Sequence, residues 1–95
     1  MTDYVPIETN YAVATGEWLQ EWQEDNEVST SDLAERLHMT VEEVEAILIG
    51  STAVDEDIAS KLEGVTGLAA RLWINFEKRY AADLTRLNLD RPQQE

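Results

Sequence analysis

Few side chains in this sequence could do covalent chemistry, and none is supplied with the partners such chemistry needs. His38 is the sole histidine. Acid–base work would need a positioned partner beside it, and its neighbours are Leu37 and Met39. It reads better as a turn residue in a left-handed conformation. The hydroxyls of Ser29, Thr30, Ser31 and Thr40 have no base paired with them by motif. Asp55-Glu56-Asp57 lacks the spacing and the glycine of a calcium loop, and an acidic helix start explains it. No glycine-rich phosphate loop is present. With no Cys there is no thiolate nucleophile, no disulfide and no Cys-held zinc. We expect no catalytic residue, no cofactor and no metal. What remains is recognition, by carboxylates, by hydroxyls at helix starts and by apolar stripes.

Charge is the strongest compositional signal. The 95 residues hold 20 Asp and Glu against 7 Lys and Arg, a formal net charge of −13. The imbalance is local. Residues 1–60 hold 15 acids and one base, Arg36, whereas residues 61–95 hold 5 acids and 6 bases. An acidic chain disfavours nucleic acid and anionic membranes and favours basic partners. An apolar share of 43% supports one modest core. The length suits a single domain that buries roughly 65% of its unfolded surface. No apolar run approaches the ~18 residues of a membrane span. Met1-Thr2-Asp3-Tyr4 has neither the basic nor the apolar region of a secretory leader, so none is expected. Zero Cys suits a reducing cytoplasm.

The elements that must position the recognition residues are helical. Residues 1–14, with Pro6 and β-formers at Tyr4, Val5, Ile7, Tyr11 and Val13, read as an extended arm, packed at Tyr11 and Val13. A first helix should start near Thr15, capped by Thr15 or Gly16, and run to about Asp25 with Trp18, Leu19 and Trp22 on one face. Ser29 to Asp32 resembles a capping box, with Asp standing in for Glu. It opens a short helix bearing Leu33, Ala34 and Leu37. Thr40 with Glu43 is the standard box. The helix it opens carries Val44, Ile47 and Leu48 and ends at a left-handed Gly50. Asp55 caps a fourth helix with Ile58, Ala59 and Leu62, which Gly64 weakens and Gly67 closes. A fifth should span about Ala69 to Leu87, with Leu68, Leu72, Phe76, Tyr80 and Leu84 at every fourth position. Residues 88–95 read as a frayed tail. The expected fold is all-α: a five-helix domain over 15–87, with arm and tail.

Two short capped helices joined by a tight turn, Thr30 to Ile49, form a helix-turn-helix pattern. Any two packed helices of a small bundle would look similar, so pattern alone leaves both possibilities open. Longer stretches add to it. Gly16-Glu17-Trp18-Leu19 opens the first helix, and Val28-Ser29-Thr30-Ser31-Asp32-Leu33-Ala34-Glu35-Arg36-Leu37 enters the motif. Val44, Ile47, Leu48 and Gly50 follow, then the run from Lys61 through Thr66-Gly67, Trp73 and Asn75 to Tyr80. On these residues the chain resembles the lambda-repressor-like (XRE) helix-turn-helix family, in particular its HigA-type antitoxins, over about residues 11–87. The resemblance implies a five-helix DNA-binding domain, a homodimer, repression of its own promoter, and a small basic ribonuclease toxin as partner.

In that family the second helix of the motif enters the major groove. Its outward residues here are expected to be Thr40, Val41, Glu42, Glu45, Ala46 and Ile49, with Glu43 nearby. Ser29, Thr30 and Ser31 would anchor phosphates at the first helix of the motif. Relatives place Ser, Arg, Lys, Thr or Asn on that outward face, Gly where this chain has His38, and Asn-Gly where it has Ile49-Gly50. Between Glu27 and Asp57 stand nine carboxylates and one cation, Arg36. The groove-facing glutamates would lie within a Debye length of phosphates, about 8 Å at physiological salt. DNA is therefore possible but electrostatically disfavoured. Three readings of the acidic face stay open: docking of a basic protein, an acidic decoy or DNA mimic that blocks a nucleic-acid-binding protein, and a solvated surface that keeps the chain soluble. Leu72, Phe76, Tyr80, Leu84 and Leu87 of the long last helix are candidates for a homodimer or partner contact.

Overall fold

The structure, a computed structural model, is described for residues 12–91. Five α-helices follow one another: α1 (Thr15–Asn26), α2 (Thr30–Leu37), α3 (Val41–Ile49), α4 (Glu56–Thr66) and α5 (Ala70–Leu87). There is no strand among the described residues. The extended arm expected over 1–14, Tyr11 included, lies outside them except for residues 12–14. So does the tail from 92 to 95.

Local chemistry sets most boundaries. Ser29 Oγ accepts from the Asp32 N–H at 3.0 Å and starts α2. Asp32 makes no return bond to Ser29 among the described residues, so only half of that box forms. The box at α3 closes in both directions. Glu43 N–H donates to Thr40 Oγ1 at 3.0 Å, and Thr40 N–H donates to Glu43 Oε1 at 2.9 Å. Asp55 Oδ1 accepts from the Ile58 N–H at 2.9 Å. The C-termini turn in left-handed geometry at Glu27, His38, Gly50, Gly67 and Asn88. His38, at φ 59°, thus has the conformational role expected of it.

The start of α1 departs from expectation. Its N-cap is Ala14, which offers no side-chain bond. The Thr15 hydroxyl donates instead to Glu77 Oε1 at 2.9 Å. Gly16 does not cap either. It lies where a Cβ would collide with backbone atoms of Ile47 and Leu48, so its missing side chain lets α1 cross α3 at backbone distance.

The core gathers Leu19, Leu33, Ala34, Leu37, Val44, Ile47, Ala59, Leu62 and Trp73 from all five helices. Each fully buried aliphatic side chain contributes about 1.5–3 kcal/mol. The main packing pairs are α4 on α5, α1 on α3 and α2 on α3. The Trp73 ring meets Phe76 edge-on at 5.6 Å, and Phe76 stacks on Trp18 at 5.0 Å.

One buried polar hub ties the chain's ends to its middle. Glu77 of α5 is buried. Its Oε1 accepts from Thr15 and from the Val54 N–H at 3.1 Å. Its Oε2 accepts from Arg91 Nη2 at 2.6 Å. Arg91 Nη1 donates to the Gly50 carbonyl at 3.0 Å, and its guanidinium lies over the Tyr80 ring. Residues 88–91 are therefore not frayed, because Asn88 turns the chain back and Arg91 reaches the hub. Burial raises the Tyr80 hydroxyl above its ordinary value, and Arg91 opposes that shift.

Candidate functional site

The helix-turn-helix face is set by which sides of α2 and α3 the core consumes. In α3, Val44, Ala46 and Ile47 are buried, while Val41 and Leu48 are half-buried against the core. Glu42, Glu45 and Ile49 are left outward, at the i, i+3, i+7 spacing of one helical stripe. Ile49 is 46% exposed, an apolar side chain beside glutamates. Thr40 and Glu43 are also exposed, and the capping box engages both.

Ala46, expected on the outward face, is only 5% exposed. The turn after α3 covers it. Ser51 N–H, Thr52 N–H and the Ser51 hydroxyl all donate to the Ala46 carbonyl. The outward set is accordingly narrower and more acidic than the expected six residues. A groove of ≈ 320 Å³ runs beside it, lined by Met39, Glu42, Glu43, Ala46, Thr52 and Ile58.

The phosphate anchors expected at the start of α2 are partly spent on structure. Ser29 Oγ caps the helix. Thr30 Oγ1 accepts from Gln23 Nε2 at 3.3 Å, and the same amide donates to the Val28 carbonyl at 3.2 Å. Gln23 is a buried organiser of this corner. Its one sequence signal is a position one turn beyond Leu19, on the buried side of α1. Ser31 is exposed. The groove at this corner, ≈ 390 Å³, is also rimmed by Glu24 and Glu27. Carboxylates therefore flank the positive helix end where a phosphate would have to sit.

Around α2 and α3 the acids are exposed: Asp32, Glu35, Glu42, Glu43 and Glu45. The exposed N-terminal turn of α4 adds Asp55, Glu56 and Asp57, with Asp57 3.8 Å from Lys61. Arg36, also exposed, is the motif's single cation. No trio of His, Asp or Glu among the described residues is arranged to hold a metal ion. No described helix is long and apolar enough to cross a membrane.

The residues expected to form a partner stripe on α5 divide. Tyr80 is buried, 3% exposed, under Gly50 and beside Arg91. Leu72, Phe76, Leu84 and Leu87 are half-buried. Phe76 stacks on Trp18, which is itself 43% exposed.

No family model matches the chain, and no curated protein sequence matches it. Solved structures do. The antitoxin HigA of Pseudomonas aeruginosa, solved with the higBA promoter, superposes with a TM-score of 0.76 at 22% identity, over 81% of this chain and 85% of that one. An addiction module antidote protein of a HigA family from Coxiella burnetii gives 0.71 at 26% identity, over 82% and 88%. The antitoxin GraA gives 0.78 at 23% identity, over 82% and 85%. The chain thus has the all-α helix-turn-helix fold of HigA-type antitoxins, as its resemblance to the XRE family implied.

Proposed function

We propose that the protein is a non-catalytic regulator of the HigA-like antitoxin type whose helix-turn-helix face engages a basic protein in preference to operator DNA. The reading rests on one observation: the outward stripe of α3 is Glu42, Glu45 and Ile49. Affinity for duplex DNA comes chiefly from cations that neutralise phosphates, each contributing about 0.9 to the logarithmic salt slope. A stripe of glutamates removes that term and adds repulsion. The same stripe suits a protein partner. An apolar side chain ringed by charge matches the core-and-rim pattern of protein interfaces. Complementary charge speeds encounter with a basic surface. In this reading Thr40 and Val41 border the docking face. Ser29 and Thr30 build the corner while Ser31 stays exposed beside it, and the half-buried flank of α5 at Leu72, Phe76, Leu84 and Leu87 supplies a homodimer contact.

A second reading is favoured by the same carboxylates. Spaced along a helix, they imitate a row of phosphates, so the protein would act as a decoy that occupies a nucleic-acid-binding protein. One experiment addresses both. Tagged wild-type protein and the Glu42→Lys/Glu45→Lys variant are used for affinity capture from the native cell, with mass spectrometry. The wild type is expected to retain a basic protein that the variant retains at least about tenfold less, the loss that removing close interfacial charges produces. A nucleic-acid-binding protein in that role selects the decoy reading, and a small basic toxin selects the antitoxin reading. Capture of the wild-type chain alone, or equal retention by both, contradicts the proposal.

A further inference from the structure

Helix α3 carries Glu42 and Glu43 in its first turn and no base in its last. A cation is favourable at the negative end of a helix, and here it comes from elsewhere in the chain. Arg91, 41 positions on, donates from Nη1 to the Gly50 carbonyl at 3.0 Å, while its Nη2 donates to Glu77 Oε2 at 2.6 Å. Residues 88–91 form the strap that brings it there. Asn88 turns the chain at φ 58°, and the N–H groups of Asn88 and Leu89 donate back to the Thr85 and Leu84 carbonyls of α5. Asn88, Leu89 and Asp90 are exposed. Among the described residues, the strap's hydrogen bonds beyond the last turn of α5 are those of Arg91.

The bond to Gly50 lands on a peptide that is already held. The Gly50 carbonyl and the Ser51 N–H belong to one planar unit. That N–H donates to the Ala46 carbonyl at 2.9 Å, so the plane is pinned at both ends. Gly50 is also packed closely. A Cβ there would lie 2.8 Å from the Tyr80 hydroxyl oxygen, and the Arg91 guanidinium sits over the Tyr80 ring, 5.2 Å from its centroid. On one side of this peptide stands Ile49, the apolar member of the outward stripe. On the other is the turn that covers Ala46. An arginine suits this place because its planar fork reaches two oxygens at once.

We propose that Arg91 is a positioning residue for the helix-turn-helix face and that residues 88–91 are its latch. Latched, the strap holds the end of α3 with Ala46 covered and the outward set confined to Glu42, Glu45 and Ile49. Released, it frees the peptide between Gly50 and Ser51, and the turn lifts from Ala46 and widens the apolar part of the face. Coupling of this kind is reciprocal. Whatever seizes the strap alters the face, and a partner that prefers the narrow face tightens the strap. The consequence for docking rests on the reading of this face as a protein-docking surface, whereas the latch itself does not.

Amide hydrogen exchange followed by NMR on the full chain, at one protein concentration, tests the latch. In Arg91→Gln the Ser51 and Thr52 amides should exchange at least about tenfold faster relative to the amides of the buried Leu37 and Leu62, the factor expected for loss of a charge-assisted hydrogen bond. Arg91→Lys keeps a cation for Glu77 but not the fork. Its Leu37 and Leu62 amides should exchange at wild-type rates while Ser51 and Thr52 stay fast. Unchanged rates at Ser51 and Thr52, acceleration by the same factor at all four amides, or full protection restored by lysine overturns the proposal. In affinity capture the folded Arg91→Lys protein should retain about fivefold less of the basic partner than the wild type, the low end of usual coupling between sites. Equal retention also overturns the proposal. A wild type that captures nothing while exchange responds as expected contradicts the docking reading and supports the latch.

Discussion

The Glu77→Ala protein should unfold at a Tm about 15 °C or more below that of the wild type. Glu77 is buried on α5 and holds three donors from three other parts of the chain. Truncating it removes both oxygens at once. The Thr15 hydroxyl and the Val54 N–H lose their acceptor, and Arg91 is left as a cation over the Tyr80 ring with only the Gly50 carbonyl beneath it. Removing one side of this part-buried charge pair, together with the acceptor of two buried donors, costs about 3–5 kcal/mol, and in a domain of this size each kcal/mol moves Tm by roughly 4–8 °C. Total stability for such a chain is about 5–14 kcal/mol, so the loss is a large fraction of it. Glu77→Gln should cost less, since the amide oxygen can still accept from Thr15 or from Val54. A chemical denaturation series reads both variants. An Ala variant within about 0.5 kcal/mol of wild type would mean the hub contributes no more than an ordinary surface residue.

Gly16→Ala carries the second large effect. A methyl group at residue 16 would overlap the backbone of Ile47 and Leu48, which cannot swing aside as a side chain can. Helix α1 must then move away from α3, opening contacts around Leu19, Val44 and Ile47. Overpacking of this kind costs about 3 kcal/mol at the upper end of its usual range, more than about 10 °C in Tm. Gly64→Ala provides the contrast. Gly64 is exposed within α4 with open space around it, so the same methyl should stabilise by about 0.5–1 kcal/mol through helix propensity. Thermal melts that show the two alanines shifting Tm in the same direction would contradict the close crossing of α1 and α3.

What could be read from sequence, and what could not, follows the range of the interactions. The caps at Ser29, Thr40 and Asp55 and the left-handed turns at Gly50 and Gly67 depend on residues within one turn of each other, so residue types alone place them. The hub does not work that way. Glu77 meets Thr15 across 62 positions and Arg91 across 14, and a lone Glu on a long helix ordinarily reads as solvated. A signal was nevertheless present. Trp73, Glu77, Tyr80 and Leu84 recur at i, i+4, i+7 and i+11, which places a carboxylate on the apolar side. The every-fourth-residue stripe of Leu72, Phe76, Tyr80 and Leu84 obscures it. A strict four-residue step advances 400° and drifts about 40° each time around a helix of 3.6 residues per turn. That stripe therefore winds from the half-buried flank at Leu72 into the core at Tyr80. Ala46 departs from its expected exposure for another reason: its angle on the α3 wheel is outward, but the turn at Ser51 and Thr52 folds over it. The acidic face was legible in outline from the charge count, and the fold narrowed it to Glu42, Glu45 and Ile49.

The chain has the fold of an antitoxin solved with the higBA promoter, and its outward α3 stripe is Glu42, Glu45 and Ile49. The most direct test is fluorescence anisotropy of labelled duplex DNA, both random sequence and the chain's own promoter region, titrated with the wild-type protein from 50 to 200 mM salt. No saturable binding to either duplex is expected up to about 10 μM at 150 mM salt, and no salt slope to measure. Binding of the promoter duplex at or below about 1 μM at that salt, with affinity falling steeply as salt rises, would show phosphate contacts at odds with a face of Glu42, Glu45 and Ile49.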